Sequence, residues 1–533
     1  MLFKTAIANC LWTASNAPAY LRFHRALRKP RVAQQRKLRE LITQNTNTAF
    51  GKTHRFGEIR TYEDFTRRVP LNDYSAFEPW IERIRRGEEN VLTSELVTHL
   101  VPTSGSSGAR KLIPFTAGLQ REFSAAIGPW LADLTLHWPG VLGGPAYWSI
   151  SPAIGEQTAE SSAVPIGFAS DTEYLGGKRR RLAEMIMAVP PNVSGAKSLE
   201  AFRYETLLHL VRCRELRLIS VWHPSFLTLL LDALPTIWER VQNEIGARRA
   251  NELKRIDPWK PEAIWPQLRV ISCWGDGAAR LALDDLRKRF PSVGVQPKGL
   301  IATEAFVSLP FKEQYPLAVA SHFFEFINPQ GEAIPLEEVV KGDEYEIVVT
   351  TAGGLWRYRV GDTVRVTGWL EKTPCLEFLG RKGNVSDCFG EKLSEPFVAQ
   401  AFAEVFGNKL PRFALLAPDE DKQGCRYTLY LEGQPELPRL NGLERALRRN
   451  PHYAYCRDLG QLLPPRFFMI SAGGFESFAA RQAAHGARLG NVKPALLSRS
   501  SGWSKVFLGA YVDLGISRLP EWEEPILTEP HCP

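Results

Sequence analysis

Thr103-Ser104-Gly105-Ser106-Ser107-Gly108, running on as Ala109-Arg110-Lys111-Leu112-Ile113-Pro114-Phe115, is the stretch that decides how this chain is read. Glycines let a backbone turn sharply with its N–H groups converging on one point, and such a nest binds an oxyanion. The hydroxyls of Thr103, Ser104, Ser106 and Ser107 add rotatable donors, and Arg110 and Lys111 add positive charge. The combination reads as a loop that holds a polyphosphate. It has neither the G-x-x-x-x-G-K-[ST] spacing of a P-loop nor the G-x-G-x-x-G of a dinucleotide fold. A Ser/Gly linker is the alternative. Linkers join domains, whereas this run lies between the apolar residues 97–101 and Leu112-Ile113-Pro114-Phe115, which favours phosphate binding.

Around that loop the chain has the make-up of a globular protein. At 533 residues it exceeds one ordinary core and calls for at least two domains. Hydrophobic content of 44% and charged content of 23% fit a soluble protein. A net charge of +8 suits an anionic ligand, but the basic residues form no single long block, so no nucleic-acid partner is expected. The eight cysteines are dispersed and form no C-x-x-C, which argues against a zinc site and a disulfide framework and for reduced thiols in the cytoplasm. Asn9, Trp12, Ser15 and Asn16 interrupt the first apolar run, so a helix packed on the domain is expected there rather than a signal peptide. No 18-residue apolar run is present, and no membrane association is expected. No obligate protein partner is evident.

Short apolar runs at 146–150, 216–222, 268–274 and 293–296 alternate with helical patterns, the signature of α/β architecture with buried strands. From 323 to 366 the pattern changes. Residues 344–351, 355–360 and 363–367 read as short antiparallel strands separated by Gly-Gly and Gly-Asp turns. The expected fold is therefore a large α/β N-terminal domain, residues 1–380, with mixed sheets, flanking helices and a small antiparallel β subdomain. A small mobile α+β domain follows over 381–517. The Pro- and Glu-rich residues 518–533 read as a loose tail.

Four further segments accompany the loop. Trp274-Gly275-Asp276-Gly277 follows a strand and precedes a helix, and Gly299-Leu300-Ile301-Ala302-Thr303-Glu304 follows another strand. Tyr358-Arg359-Val360-Gly361-Asp362 places an acid just past a strand at a glycine turn, and Gly380-Arg381 leads on to Gly390-Glu391-Lys392. In order and spacing these segments resemble the adenylate-forming superfamily of acyl-CoA synthetases, peptide-synthetase adenylation domains and luciferases. Within it the chain is most similar to the Gretchen Hagen family of auxin-responsive acyl acid-amido synthetases. The phrases at 45–51, 69–74, 81–88 and 358–362 carry that likeness, which is strong over residues 30–395 and thinner through 450–453 and 490–494.

The resemblance implies a role for each motif. Thr103 to Gly108, with Lys111, would cradle the phosphates of ATP, and Gly275, Asp276 and Gly277 would border the adenine. Ala302 precedes the Ser/Thr-Glu pair, in which Thr303 would contact the α-phosphate and Glu304 would hold Mg2+. Asp362 would bind the ribose hydroxyls, two donors matched by two carboxylate oxygens; the alternative is a turn-capping Asp. Arg381 sits at the interdomain hinge. Lys392 and Lys493 would reach the phosphate or the acyl-adenylate from the smaller domain, and surface lysines are their alternative. Many relatives have tyrosine before the Ser/Thr-Glu pair; here Leu300-Ile301-Ala302 stands instead, leaving adenine an aliphatic surface or another ring. The acyl acid would lie among Trp148, Trp222, His223, Phe226 and Phe306, with no catalytic role given to His223.

The implied reaction adenylates a small carboxylic acid with ATP and passes the acyl group to an amine, most simply an amino acid. Transfer to the thiol of coenzyme A or a carrier, and a non-catalytic acyl-binding role, are the competing readings. The identities of acid and acceptor, and the oligomeric state, are not legible in the residues.

Overall fold

The computed structural model describes residues 2–103, 111–149, 162–168, 182, 184–196, 198–276, 279–381, 385–407, 411–421, 423–433, 442–484, 492 and 494–512. The two strands that flank the Ser/Gly stretch, β1 (His99–Pro102) and β2 (Leu112–Phe115), pair antiparallel, with Leu100 opposite Pro114 and Pro102 opposite Leu112. The segment thus joins two paired strands within one domain. Residues 104–110 themselves lie outside the described residues.

Four of the apolar runs form a parallel sheet in sequence order: β3 (Ala146–Trp148), β4 (Leu218–Ser220), β5 (Val270–Trp274) and β6 (Gly294–Lys298). Parallel neighbours need a crossover between them, and the helices Leu199–Arg212, Pro224–Glu244 and Ala279–Arg289 supply these crossovers. Because helices cover the sheet, β4 and β5 are buried along their whole length, which is why they read as unbroken apolar runs. All four strands run the same way, and β5 and β6 lead directly into the Gly275-Asp276 and Gly299 to Glu304 segments.

A second sheet is antiparallel, with order β11-β10-β9-β7-β8, from β7 (Phe323–Ile327), β8 (Ala333–Pro335), β9 (Glu344–Thr350), β10 (Tyr358–Leu370) and β11 (Thr373–Arg381). Here the structure corrects the expectation of a Gly-Asp hairpin turn. Gly361-Asp362 lies inside β10, one continuous strand. Arg359 pairs with Val348 and Thr363 with Glu346, so β10 advances four residues while β9 advances two. Gly361 takes φ +82°, the left-handed conformation that lets the strand bulge. The bulge leaves Asp362 in the sheet, 4% exposed, paired across β10–β11 with Arg381.

The first helix, Leu2–Arg28, is packed on the domain: Asn9 Nδ2 donates to the carbonyls of Leu142 and Gly144 at 3.1 and 2.9 Å. The start of β10 is secured by a buried ion pair. The Arg357 guanidinium lies 2.8–3.1 Å from both Glu325 oxygens and donates to the Val69 carbonyl at 2.9 Å. Tyr62 Oη also donates to Glu325, at 2.8 Å. Residues 1–385, 394–396 and 475–496 cluster as one unit, and 386–393, 397–474 and 497–533 as another. The second unit holds a four-stranded sheet of Phe413–Asp421, Gly424–Glu432, Arg466–Ile470 and Gly509–Val512, in that order. The proposed tail, 518–533, lies outside the described residues. Among the described residues no helix is long and apolar enough to cross a membrane.

Removing one partner of a buried pair strands the other charge, so Glu325→Ala is expected to lower unfolding free energy by about 3–5 kcal/mol. Urea denaturation measures it; a loss below about 1 kcal/mol, the value of a solvated pair, would contradict this role for the pair.

Candidate active site

The turn that carries Thr303 and Glu304 is fixed from below by a buried hydrogen-bonded hub. Ile301 and Phe306 bridge antiparallel and the Ala302 N–H donates to the Ala305 carbonyl at 2.9 Å, which closes the turn. The Phe306 N–H donates to His322 Nε2 at 3.0 Å, and His322 Nδ1 lies 2.9 Å from Glu122 Oε2. Since Nε2 accepts, the proton is assigned to Nδ1, and the ring donates it to the carboxylate. The same Glu122 oxygen accepts the Ala352 N–H at 2.9 Å, and Lys37 Nζ lies 3.6 Å from the other oxygen. The Ala352 carbonyl takes the hydroxyls of Thr93 and Thr116 at 3.1 and 3.3 Å. Thr116 in turn caps the helix Ala117–His137 that bears Glu122. Turn 301–306, the loop entering β10 and the exit of β2 are therefore anchored to one carboxylate.

At the head of the turn, Gly299 allows a close approach: an added Cβ would lie 2.1 Å from the Ser308 carbonyl oxygen. No side chain fits there. Glu304 is 2% exposed, and Ala302 and Thr303 are half-buried.

The stem of the β1–β2 pair and the strand that enters the β10 bulge are bound by neighbouring residues, Tyr74 and Asn72. Thr103 N–H donates to the Lys111 carbonyl at 2.9 Å, closing the stem. Lys111 Nζ lies 5.7 Å from the Tyr74 ring centroid, and Tyr74 Oη accepts the Leu112 N–H at 2.8 Å. Two residues earlier, Asn72 exchanges backbone hydrogen bonds with Arg357 and Arg359 at 3.0 and 2.8 Å, and its side chain donates to the Trp356 carbonyl. Asp362 follows Arg359 by three positions. From the opposite side, Asp276 Oδ2 accepts the Phe378 N–H at 3.3 Å, and the Trp274 and Phe378 rings meet edge to face at 5.4 Å. Phe378 is paired with Val364, beside the Asp362–Arg381 pair. The Thr103–Lys111 stem is thus tied through Asn72 to Tyr74 to the strand that carries Asp362, and Asp276 is tied to β11, which pairs with that strand.

The aromatic residues divide. Trp148 meets Trp130 edge to face at 6.4 Å, and Trp130 meets Phe306 at 6.5 Å. Trp222 faces Lys298, whose ammonium is 5.0 Å from its ring centroid. His223 is buried and stacks on Phe475 at 6.0 Å, while Phe226 packs against Phe202 in the core under the crossover helices.

In the second unit, Lys392 is exposed and holds φ +45°. The turn before it is fixed by buried Glu391, which accepts from Tyr427 Oη at 2.6 Å and from the Cys388 and Phe389 N–H groups at 2.7 and 2.8 Å. Ser104, Gly105, Ser106, Ser107, Gly108, Gly277 and Lys493 lie outside the described residues. Sequence reasoning did not find Glu122, His322, Phe378 or Lys298. Only Lys298 had a signal, a lysine ending an apolar strand run.

The architecture is that of an acyl acid amido synthetase. The solved structure of AtGH3.15 acyl acid amido synthetase in complex with 2,4-DB superimposes with TM-score 0.84 at 17% identity, covering 96% of this chain and 99% of that one. A second structure, of GH3.15 acyl acid amido synthetase, gives 0.79 at 18% identity, covering 94% and 97%. At such identity the likeness is one of fold. Three family models match in series: the GH3 family N-terminal domain over residues 19–248, the central domain over 315–381 and the C-terminal domain over 396–502. The chain belongs to the GH3 family. Indole-3-acetic acid-amido synthetase GH3.17 of Arabidopsis thaliana is 21% identical over 585 aligned positions, spanning 92% of this chain and 95% of the relative. GH3.2 of the same plant, of the same description, is 22% identical over 431 positions, 70% and 78% respectively. Residues 249–314, with Lys298 and the Thr303-Glu304 turn, fall between the matched domains.

His322→Ala strands the Phe306 N–H and deprives Glu122 of a donor, which is expected to cost about 3 kcal/mol. A chemical denaturation midpoint equal to that of the wild type would contradict the hub.

Proposed function

We propose that the protein is an ATP-dependent acyl acid-amido synthetase that adenylates a small carboxylic acid and joins it to the amine of an amino acid. The observation that supports this best is that the β1–β2 stem, through Asn72 to Tyr74, and Asp276, through Phe378, are both tied to the strand pair that carries Asp362. In this reading Asp362 accepts both ribose hydroxyls, and Thr303 donates to the α-phosphate. The hairpin donors, Ser104 to Gly108 with Lys111, hold the β- and γ-phosphates. Phe378 supplies the ring that Leu300-Ile301-Ala302 lacks, against which adenine rests.

Magnesium fits the donor set. Mg2+ is commonly held by one or two carboxylates together with substrate phosphates, and Glu304 next to the Thr303 hydroxyl offers one. When bound, the ion neutralises charge on the phosphates. The acid's oxygen attacks the α-phosphorus and pyrophosphate departs, its charge met by the hairpin donors. The amine then attacks the acyl carbon, AMP leaves with the bonding electrons, and the ammonium loses its extra proton to solvent. Lys392 is assigned to stabilising the charge that builds at the α-phosphate. We place the enzyme in the cytoplasm, where ATP is supplied and where the free cysteines found among the described residues stay reduced.

Exchange of labelled pyrophosphate into ATP should depend on added acid, and with amino acids present the product mass should be that of an amide; a coenzyme A thioester would contradict the acceptor. A hydrogen bond to a charged group is worth about 1.5–3 kcal/mol, so Asp362→Ala should raise the KM for ATP roughly 10- to 150-fold. An unchanged KM removes the ribose role. Lys392→Ala should lower kcat with little change in the KM for ATP, and wild-type turnover would return that lysine to the surface.

A further inference from the structure

Lys298 ends β6 at the carboxyl edge of the parallel sheet and is 5% exposed. Its ammonium donates to the Val221 carbonyl at 2.8 Å, just past the end of β4. It lies 5.0 Å from the Trp222 ring centroid and 5.5 Å from that of Trp130. Among the described residues its titratable neighbour is the Cys273 thiol, not a carboxylate, and burial pushes the ammonium down to about 7. One carbonyl occupies one of three N–H donors. A buried ammonium without a counter-anion is costly, and such groups are kept where a ligand completes them.

The surroundings suit a planar ligand. The carboxyl ends of parallel strands are where α/β sheets bind small molecules. Trp130 is fixed by its Nε1–H, which donates to Gln296 Oε1 at 2.9 Å, and the same oxygen takes the Ser272 hydroxyl at 3.1 Å. Trp130 also meets Phe306, and so adjoins the turn that carries Thr303 and Glu304. Trp222 is 43% exposed and opens this frame to solvent.

We infer that Lys298 recognises a second carboxylate on the acyl acid, so that the substrate is an aromatic dicarboxylic acid with its ring against Trp222 and Trp130. The inference rests on the amido synthetase reading for the fate of the first carboxylate. The reacting carboxylate is a poor partner for Lys298. Its charge is lost on forming the acyl-adenylate, which would leave the ammonium uncompensated again, and a cation clamped on the attacking oxygen weakens the nucleophile. A second carboxylate keeps its charge through both half-reactions.

The test compares benzene-1,2-, 1,3- and 1,4-dicarboxylate with the matching methylbenzoates, which keep the shape without the charge. Binding is read by quenching of tryptophan fluorescence in the presence of AMP, and adenylation by pyrophosphate exchange. A charge-assisted hydrogen bond predicts that wild-type protein binds at least one dicarboxylate about tenfold or more tighter than its methyl analogue. Lys298→Met should abolish that preference and leave the methylbenzoates within about twofold of wild type, while Lys298→Arg should retain part of it. Wild-type protein without the preference, or Lys298→Met weakening both series equally, overturns the inference; the first comparison needs no variant to fold. Lys298-dependent binding with no acid supporting exchange would sink the amido synthetase reading alone. Acid-dependent exchange in which wild-type protein prefers no dicarboxylate over its methyl analogue would sink this inference alone.

Discussion

The Glu122 carboxylate, buried in the helix Ala117–His137, is the constraint on which the candidate site depends. Through His322 it holds the Phe306 N–H, and directly it holds the Ala352 N–H. One anion therefore sets the position of two loops that belong to different sheets. A buried charge needs partners: one Glu122 oxygen accepts from an imidazole and a backbone amide, while the other makes no hydrogen bond among the described residues and has the Lys37 ammonium 3.6 Å away. Low local dielectric strengthens such a network and makes each missing partner costly. The result is a rigid base under Thr303 and Glu304.

Two backbone devices complete the placement. At Gly299 the chain passes so close to Ser308 that only hydrogen fits at the α-carbon, which brings the turn back over the end of β6. At Gly361 a left-handed residue widens β10 against β9. The bulge re-aims the strand where a regular ladder would continue, and bulges are frequent beside active sites for this reason. Asn72 to Tyr74 then ties the strand entering that bulge to the stem of the Ser/Gly hairpin. The segments are far apart in sequence and are linked by these contacts between strand ends and loops of different sheets.

Much of this was legible in the residues. The parallel strands announced themselves as apolar runs between helical patterns, since a strand covered on both faces needs no polar alternation. The Ser/Gly stretch, the Thr303-Glu304 pair and Asp362 stood out as family phrases, and the matches over 19–248, 315–381 and 396–502 establish the family, while the roles of these residues belong to the proposed function. What escaped was long-range. Gly361-Asp362 reads locally as a hairpin turn, and only pairing with β9 on one side and β11 on the other turns it into a bulge. Glu122 and His322 are 200 positions apart, and nothing in either neighbourhood marks them as partners. Phe226 sits in the same apolar segment as Trp222, yet helix geometry turns it into the other core, against Phe202. Lys298 shows as a lysine after a strand; its enclosure by two tryptophans is a property of packing alone.

In the proposed reading a nucleotide sits with its sugar on Asp362 and its phosphates toward the segment that starts at Thr103. The most direct measurement is a crystal structure with a non-hydrolysable acyl-sulfamoyl adenosine, in which the sulfamoyl group stands in for the α-phosphate. Both ribose oxygens are expected on the Asp362 carboxylate, with the sulfamoyl group beside Thr303 and the adenine between the Asp276 turn and Phe378. A ligand bound elsewhere, with Asp362 still enclosed by its own sheet, would contradict it.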